Sequence, residues 1–597
     1  MADPHLIVCG GAEPPSAPGT PPVVRRLDIG DKGGQVRLKF DQLAGLIHTR
    51  PSPAELDLIE IAAYVFAADQ TVSRGGPTRI DYGDRWRRTL RFHIPVRRSD
   101  LWSRRHVRDA LRDALEFLTD DQYEFSFTST TARAADVQYL LDRVGPSAGE
   151  FDEVALFSGG ADSLCGAIDA TAVRGRRQLL VSHRPVNHVY ARQQALYRAV
   201  ADRRRAGTPR PAHVGVTAHL ADGVATAHTQ RSRSFLFAAV GGVIARRVGL
   251  SELRFYENGI ISLNLPISPQ VIGGRASRTT HPQALARLAR LLSLVFESEF
   301  AVVNPFEWAT RAELLVALHA AGHADLLADT VSCIHTRDQT TGAGPHCGRC
   351  SQCVDRRLSV LAAGLGPAHD PPAGYREDVL VGARDGADLL LVERFVGAAL
   401  DVRRIASPVA FAAHNPEVNR ALRYYGLPPA VAAERVFDLC RRHSDGMSRA
   451  VARALGEQVN AIVGQTVPPA SLLGLILGRM PTPIGLPPAV GPDTDPERLI
   501  VDPARFTVRT RGRECFFGNT NEFHLVARMA RSVGDYVPYD ALREAVWPGI
   551  DAESFTIQKT MSNARRKLVA AGLTELVFDG RQKQHYRLQI AAATVAR

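Results

Sequence analysis

Two short stretches hold most of the residues whose types and spacing could do chemistry. The first is Leu156-Phe157-Ser158-Gly159-Gly160-Ala161-Asp162-Ser163. The apolar run Val154 to Phe157 suits a buried strand, and Leu164 to Ala172 reads as a helix. Between them the glycines, lacking a Cβ, let backbone N–H groups approach an anion, and a helix N-terminus adds further donors. Strand, glycine turn and helix predict a phosphate cradle at Ser158, Gly159, Gly160, Asp162 and Ser163. No lysine follows the glycines, so this is not the GxxxxGK[ST] nucleotide loop. For the glycines alone, an ordinary strand-to-helix turn is the competing reading.

The second stretch is Cys333 with Cys347-Gly348-Arg349-Cys350-Ser351-Gln352-Cys353. Two overlapping CxxC steps and a fourth thiol suit tetrahedral zinc. Half of the chain's eight cysteines fall here. No basic-then-apolar leader is visible, so a cytoplasmic, reducing compartment is expected, where such a cluster favours metal over disulfides. Cys9, Cys165, Cys440 and Cys515 are scattered and receive no role.

Together, the Ser-Gly-Gly-x-Asp-Ser turn and the cluster ending in Cys353-Val354-Asp355-Arg356-Arg357 resemble the PP-loop ATP pyrophosphatases, and among them the 7-cyano-7-deazaguanine synthase family. The resemblance covers roughly Asp152 to Gly364, about a third of the chain. It implies an ATP-dependent enzyme that uses Mg²⁺, adenylates the carboxylate of 7-carboxy-7-deazaguanine and forms an amide or nitrile. It also implies structural Zn²⁺ on Cys333, Cys347, Cys350 and Cys353. The gap between the first two cysteines is longer than that family leads one to expect.

The elements that must position these residues follow from the pattern along the chain. Its 597 residues predict several domains. No apolar run reaches membrane-spanning length. The net charge of +11 permits a polyanionic partner, although arginine-rich usage alone would also produce it. Residues 1 to about 25 are Pro/Gly-rich and expected to be loosely attached. Residues 1–150 read as an N-terminal α+β domain, with strands at Val36–Phe40, Leu90–Pro95 and Glu124–Thr128 and helices at Asp57–Ala68 and Val107–Leu118. Ala67-Ala68-Asp69-Gln70 and Trp86-Arg87-Arg88 resemble N-terminal regions of synthase-like proteins from antiphage defence clusters. Trp86 and Trp102 read as core.

Residues 151–365 alternate β and α, which predicts an α/β fold with a parallel sheet, the PP-loop (HUP-type) core. Strands are expected at Val154–Phe157, Gln178–Ser182, His213–Thr217, Leu253–Tyr256 and Phe300–Val303, with helices at Val189–Arg203 and Thr229–Arg247. Ligands of such sheets sit beyond the strand C-terminal ends, which adds His183, Glu257, Asn258 and Gly259 to the nucleotide site. Arg231 and Arg233, opening the long helix, could reach phosphates and join Asp162 and Ser163 as catalytic candidates. Asn264, Pro266, Arg278 and His281 lie in a polar loop suited to a base pocket, with His281 read as structural. Residues 366–490 read as a helical connector with helices at Glu417–Tyr425, Ala430–His443 and Ser448–Val463, and Met480–Asp495 as a linker.

Residues 491–597 predict helices at Asn521–Ser532, Tyr539–Val546 and Ser554–Ala570. A hairpin follows, Leu576–Phe578 to His585–Leu588, with an Asp579-Gly580 turn. This C-terminal winged helix resembles the OmpR-type DNA-binding domain at Leu542–Trp547, Met561–Leu568 and Tyr586-Arg587-Leu588. The resemblance puts the third helix in the DNA major groove, with Gln558, Lys559, Ser562, Arg565 and Arg566 in contact; protein contact is the alternative. The functional expectation is a deazaguanine-modifying enzyme acting on nucleic acid or a protein acceptor in antiphage defence, with a defence-cluster partner and no membrane. Nucleotide thiolation by a catalytic thiol, and a DNA-binding regulator with a vestigial core, are the alternatives.

Overall fold

The computed structural model describes residues 5–15, 23–30, 34–41, 51–72, 87–131, 150–184, 187–221, 231–265, 278–334, 344–479, 499–502, 506–518, 520–546, 554–582 and 584–590. Trp86, Pro266, Trp547 and the linker at 480–495 lie outside them. The architecture is mixed α/β. The chain divides into two compact units, one built on Pro4–Val72 with Thr89–Pro483 and one built on Ile484–Arg597.

The larger unit begins β1 His5–Cys9, β2 Val23–Leu27, β3 Val36–Asp41, α1 Pro53–Thr71, β4 Thr89–Val96, α2 Ser99–Trp102, α3 Arg105–Thr119 and β5 Gln122–Ser129. It continues β6 Glu153–Leu156, α4 Ala161–Ile168, β7 Gln178–His183, α5 Asn187–Asp202, β8 Ala212–Leu220, α6 Arg233–Arg247, β9 Glu252–Arg254, α7 Gly259–Leu263, α8 Pro282–Phe296, β10 Ala301–Val303 and α9 Arg311–Ala320. Helices α10 Ser351–Ala362, α11 Gly386–Asp401, α12 Pro408–His414, α13 Val418–Leu422, α14 Pro429–Glu457, α15 Val459–Val463 and α16 Leu472–Arg479 complete it.

Two sheets result. β2-β1-β4-β5 is parallel throughout. The second runs β10-β9-β6-β7-β8-β3, parallel except for β3, which pairs antiparallel with β8 at the edge. Within the opening expected to be loosely attached, Leu6 to Cys9 is instead an apolar run buried between β2 and β4. Within residues 1–150 the four-stranded sheet is parallel, with α3 crossing over from β4 to β5. One apolar core runs from Ile7 and Phe92 through Val154 and Val214 to Phe235 and Leu288, so this segment shares its core with the second sheet.

A capping box, Ser52 with Glu55, starts α1. One turn on, buried Asp57 accepts from the Arg97 and Arg98 amides, from Arg97 Nη1 at 2.9 Å and from Trp102 Nε1 at 3.2 Å. This carboxylate ties α1 to the end of β4 and to α2. Asp57→Ala leaves two amides and the Trp102 indole N–H without their acceptor and the Arg97 guanidinium with Glu60 alone, where each unsatisfied buried group typically costs about 1–3 kcal/mol. A clear fall in apparent unfolding temperature by scanning calorimetry is expected; an unchanged temperature would show that the anchor is dispensable.

In the connector, the two helices expected at 430–443 and 448–463 are one, α14, running to Glu457. Ser444-Asp445-Gly446 reads as a break, yet Ser444, Gly446 and Met447 are buried, and a Cβ on Gly446 would meet Ala362 of α10 at 3.6 Å. Packing against α10 carries the helix through.

The smaller unit contains β11 Ile500–Asp502, β12 Thr507–Thr510, β13 Arg513–Phe516, α17 Asn521–Ala530, β14 Tyr536–Pro538, α18 Tyr539–Val546, α19 Ser554–Ala570, β15 Leu576–Asp579 and β16 His585–Ile590. β11-β12-β13 and β14-β16-β15 are antiparallel sheets, and Phe523, Leu542, Met561, Leu568 and Leu588 share the core. Asp579-Gly580 is not a two-residue turn. Asp579 ends β15 and its carboxylate accepts from Arg581, Arg587 and the Tyr536 hydroxyl, which draws the chain into a longer loop before His585. The β12–β13 hairpin was not expected from the sequence. Its turn residues Arg511 and Gly512 both have positive φ, 50° and 72°, as a type I′ turn requires.

Candidate functional site

β6 stands inside the six-stranded sheet. From it the chain steps outward through α4 to β7 and through α5 to β8, then returns by α6 to β9 on the other side of β6. The strand order thus reverses between β6 and β9, and a crevice beyond their carboxyl ends is the usual ligand position in open α/β sheets. Ala155 pairs with Arg254. Three residues past each come Ser158 and Glu257, so the register alone brings the two predicted segments side by side.

The turn after β6 is held by its own hydroxyls and by two neighbours. Gly159 has φ 80°, and a Cβ there would approach Gln193 Cγ to 3.1 Å. Ser158 Oγ accepts from the Gly160 amide at 3.2 Å, and Ser163 Oγ donates to the Gly160 carbonyl at 3.0 Å. Gln193 Nε2 donates to the Ser158 carbonyl and the Val331 amide to the Gly159 carbonyl, each at 3.0 Å. Two carbonyls of the turn are thereby engaged. The first-turn amides of α4 have no intrahelical acceptor and are the donors an anion would meet.

Asp162 lies on that first turn and is buried. Its Oδ2 accepts from the Asn258 amide at 3.0 Å and Asn258 Nδ2 at 2.8 Å, and its Oδ1 from Arg311 Nε at 2.8 Å. Asn258 also caps α7 by accepting from the Ile261 amide. Gly259 packs so tightly that a Cβ would lie 2.1 Å from the Glu307 carbonyl. Arg311 in turn pairs with Asp355 of α10 and with Glu257 Oε1 at 3.4 Å. Burial alone would raise the Asp162 carboxyl, but the Arg311 charge and its hydrogen bonds hold it well below the usual carboxylate range. Burial and the neighbouring Asp162 charge push Glu257 up instead. The Glu257 side chain keeps 27% exposure. With its oxygens filled by protein donors, Asp162 acts as a brace between β6, β9 and α9, and Glu257 is the carboxylate left facing outward.

Cys333, Cys347, Cys350 and Cys353 bring their sulfurs within 4.8 Å of one another, and none of the four is in a disulfide. Cys347 and Cys353 sulfurs are 3.8 Å apart, Cys350 and Cys353 3.4 Å. A tetrahedron with Zn–S bonds of about 2.3 Å has edges of about 3.8 Å. Amides of Arg349 and Cys350 point at Cys347 Sγ at 3.4 Å. Hydrogen bonding from Cys333, Cys350 and Cys353, aided by the Cys350 amide, holds the Cys347 thiol far below its ordinary value. The cluster can hold a metal ion such as zinc.

Other predicted residues fall elsewhere. His183 ends β7, bonded to the Ala218 carbonyl and enclosed by Phe66 and Phe237. Arg231 and Arg233 flank Ser232, whose amide and hydroxyl both donate to buried Asp69 of the Ala-Ala-Asp-Gln stretch; Arg233 lies over Phe237 at 5.8 Å. Arg278 donates to the Phe117 carbonyl and His281 caps α8, so both serve packing. Asn264 follows α7 with φ 48°. Gln558, Lys559, Ser562, Arg565 and Arg566 share the exposed face of α19, while Ile557, Met561, Ala564 and Leu568 face the core. Arg311, Asp355 and Asn304, which donates to the Glu257 carbonyl at 2.7 Å, were not anticipated. A signal for Arg311 existed: Thr310-x-x-Glu313 is a capping box directly after β10, which sets Arg311 at a helix start beyond the sheet.

No protein-family model and no curated protein matches the chain.

Proposed function

We propose that the chain is an ATP-dependent enzyme of the 7-cyano-7-deazaguanine synthase type, with a PP-loop core, a structural zinc site and a C-terminal winged helix that binds DNA. The observation that carries this reading is the placement of the Ser-Gly-Gly-x-Asp-Ser turn against Glu257 and Asn258 where the strand order reverses. Amides of the turn and of α4 would hold the phosphates of ATP. A carboxylate oxygen of 7-carboxy-7-deazaguanine attacks the α-phosphorus, the bond to the bridging oxygen breaks, and pyrophosphate leaves with the electron pair. Donors aimed at that departing charge are the main source of rate. Mg²⁺, when bound, would neutralise phosphate charge; Asp162, the carboxylate expected to hold it, is engaged by Asn258 and Arg311, and Glu257 would serve instead. An amine then displaces AMP from the acyl group. Four thiols leave zinc no open position, which favours a structural site over thiolation chemistry.

ATP incubated with the enzyme, Mg²⁺ and 7-carboxy-7-deazaguanine is expected to yield AMP and pyrophosphate; ADP and phosphate alone would rule out adenylation. The acceptor would be macromolecular, DNA carrying a deazaguanine or a protein, and a role in antiphage defence rests on the family resemblance.

The exposed basic face of α19 supports the DNA reading. If Lys559, Arg565 and Arg566 neutralise three phosphates, log K for duplex DNA falls with log salt at roughly −0.9 for each. Replacing all three by alanine is expected to flatten the slope of the full chain by about 2.7. Binding that ignores salt, or none at low salt, would point to a protein partner.

A further inference from the structure

We propose that the four-cysteine cluster positions the phosphate turn, so that metal in the cluster and nucleotide at the turn strengthen each other's binding. This rests on the nucleotide reading above. Two separate braces run from the cluster to the turn. The first grips Gly159: its carbonyl accepts from the Val331 amide at 3.0 Å, two residues before Cys333. The second grips Asp162: Arg311 donates to it at 2.8 Å and pairs on its far side with Asp355, two residues after Cys353. Gln352, between Cys350 and Cys353, also reaches Arg311 at 3.5 Å.

Among the described residues the braces meet at their cysteine ends and through Arg356 of α10, which donates to the Leu327 carbonyl at 2.7 Å and to Thr330 Oγ1. Cys333 belongs to one brace; Cys350 and Cys353 begin α10 on the other. A metal joining the thiolates fixes their spacing and so fixes where Gly159 and Asp162 are held. Arg311, Asp355 and Val331 are positioning residues: they act through the turn. Because Arg311, Asp355 and Asp162 are all buried, a shift of α10 cannot be absorbed by solvent and passes to the turn. Reciprocity then requires that a ligand ordering the turn tighten metal binding by the same factor.

The test is an equilibrium zinc competition on the full chain against a chromogenic chelator of known affinity, with and without a non-hydrolysable ATP analogue and Mg²⁺. Analogue binding is measured in parallel by equilibrium dialysis. The analogue is expected to raise apparent zinc affinity about tenfold, within the 5- to 150-fold range usual for coupled sites. Asp355→Asn is expected to keep one zinc per chain but lose most of that gain. The wild-type comparison needs no variant. An analogue that binds without changing zinc affinity overturns the coupling and leaves the nucleotide reading intact. An analogue that does not bind overturns both.

Discussion

Asp162→Ala is expected to abolish most deazaguanine-dependent AMP release. Removing one group that stabilises charge in a transition state commonly costs about 10²–10³ in rate. Here one carboxylate serves three elements at once. Its loss removes the acceptor of the Asn258 amide, at the N-cap of α7, and leaves Arg311 balanced toward Asp355 and Glu257. The amides of α4 would then no longer be fixed against the crevice. Asp162→Asn separates charge from shape: the amide keeps an oxygen for Asn258 but meets Arg311 with a donor or a weakened acceptor. Both variants are expected to lower kcat, with AMP and pyrophosphate followed by chromatography. A rate within threefold of wild type for Asp162→Ala would remove the brace from the mechanism.

Cys350→Ser is expected to give insoluble or metal-free protein. Structural zinc contributes roughly 10–16 kcal/mol of apparent binding free energy in small peptides. Cys350 also occupies the N-cap of α10, a position that serine suits, so the loss on Cys350→Ser is assigned to the missing thiolate and not to the helix start. With the cluster open, buried Arg356 and Asp355 would lose the register of the helix that carries them. Cys440→Ser is the control: it is buried in α14, outside the cluster, and is expected to retain one metal per chain. Metal content by mass spectrometry and solubility check both. A folded, fully active Cys350→Ser protein without zinc would show that the site is not structural.

The parts of the site that were legible in the sequence are those written locally. The turn and three of the four cysteines each occupy fewer than ten residues, and glycine or thiol spacing there has few other uses. The brace was not legible, because its partners are far apart along the chain: Asp162 and Arg311 lie 149 residues apart, and Arg311 and Asp355 44. Only the strand order that returns β9 beside β6 brings them together. β1 was hidden in the same way: four apolar residues, Leu6 to Cys9, inside a Pro/Gly-rich opening look isolated until β2 and β4 flank them. In α14, a Ser-Asp-Gly break by local propensity was overridden by packing on α10. Asp579 read as a turn residue, but its carboxylate was committed to Arg581 and Arg587.

The central claim is attack by a substrate carboxylate on the α-phosphorus, and an isotope measures it directly. With 7-carboxy-7-deazaguanine labelled with ¹⁸O in its carboxylate, AMP released in the presence of amine is expected to carry one ¹⁸O, since the attacking oxygen stays with phosphorus when the acyl group departs. AMP without label, or ADP in its place, would contradict it.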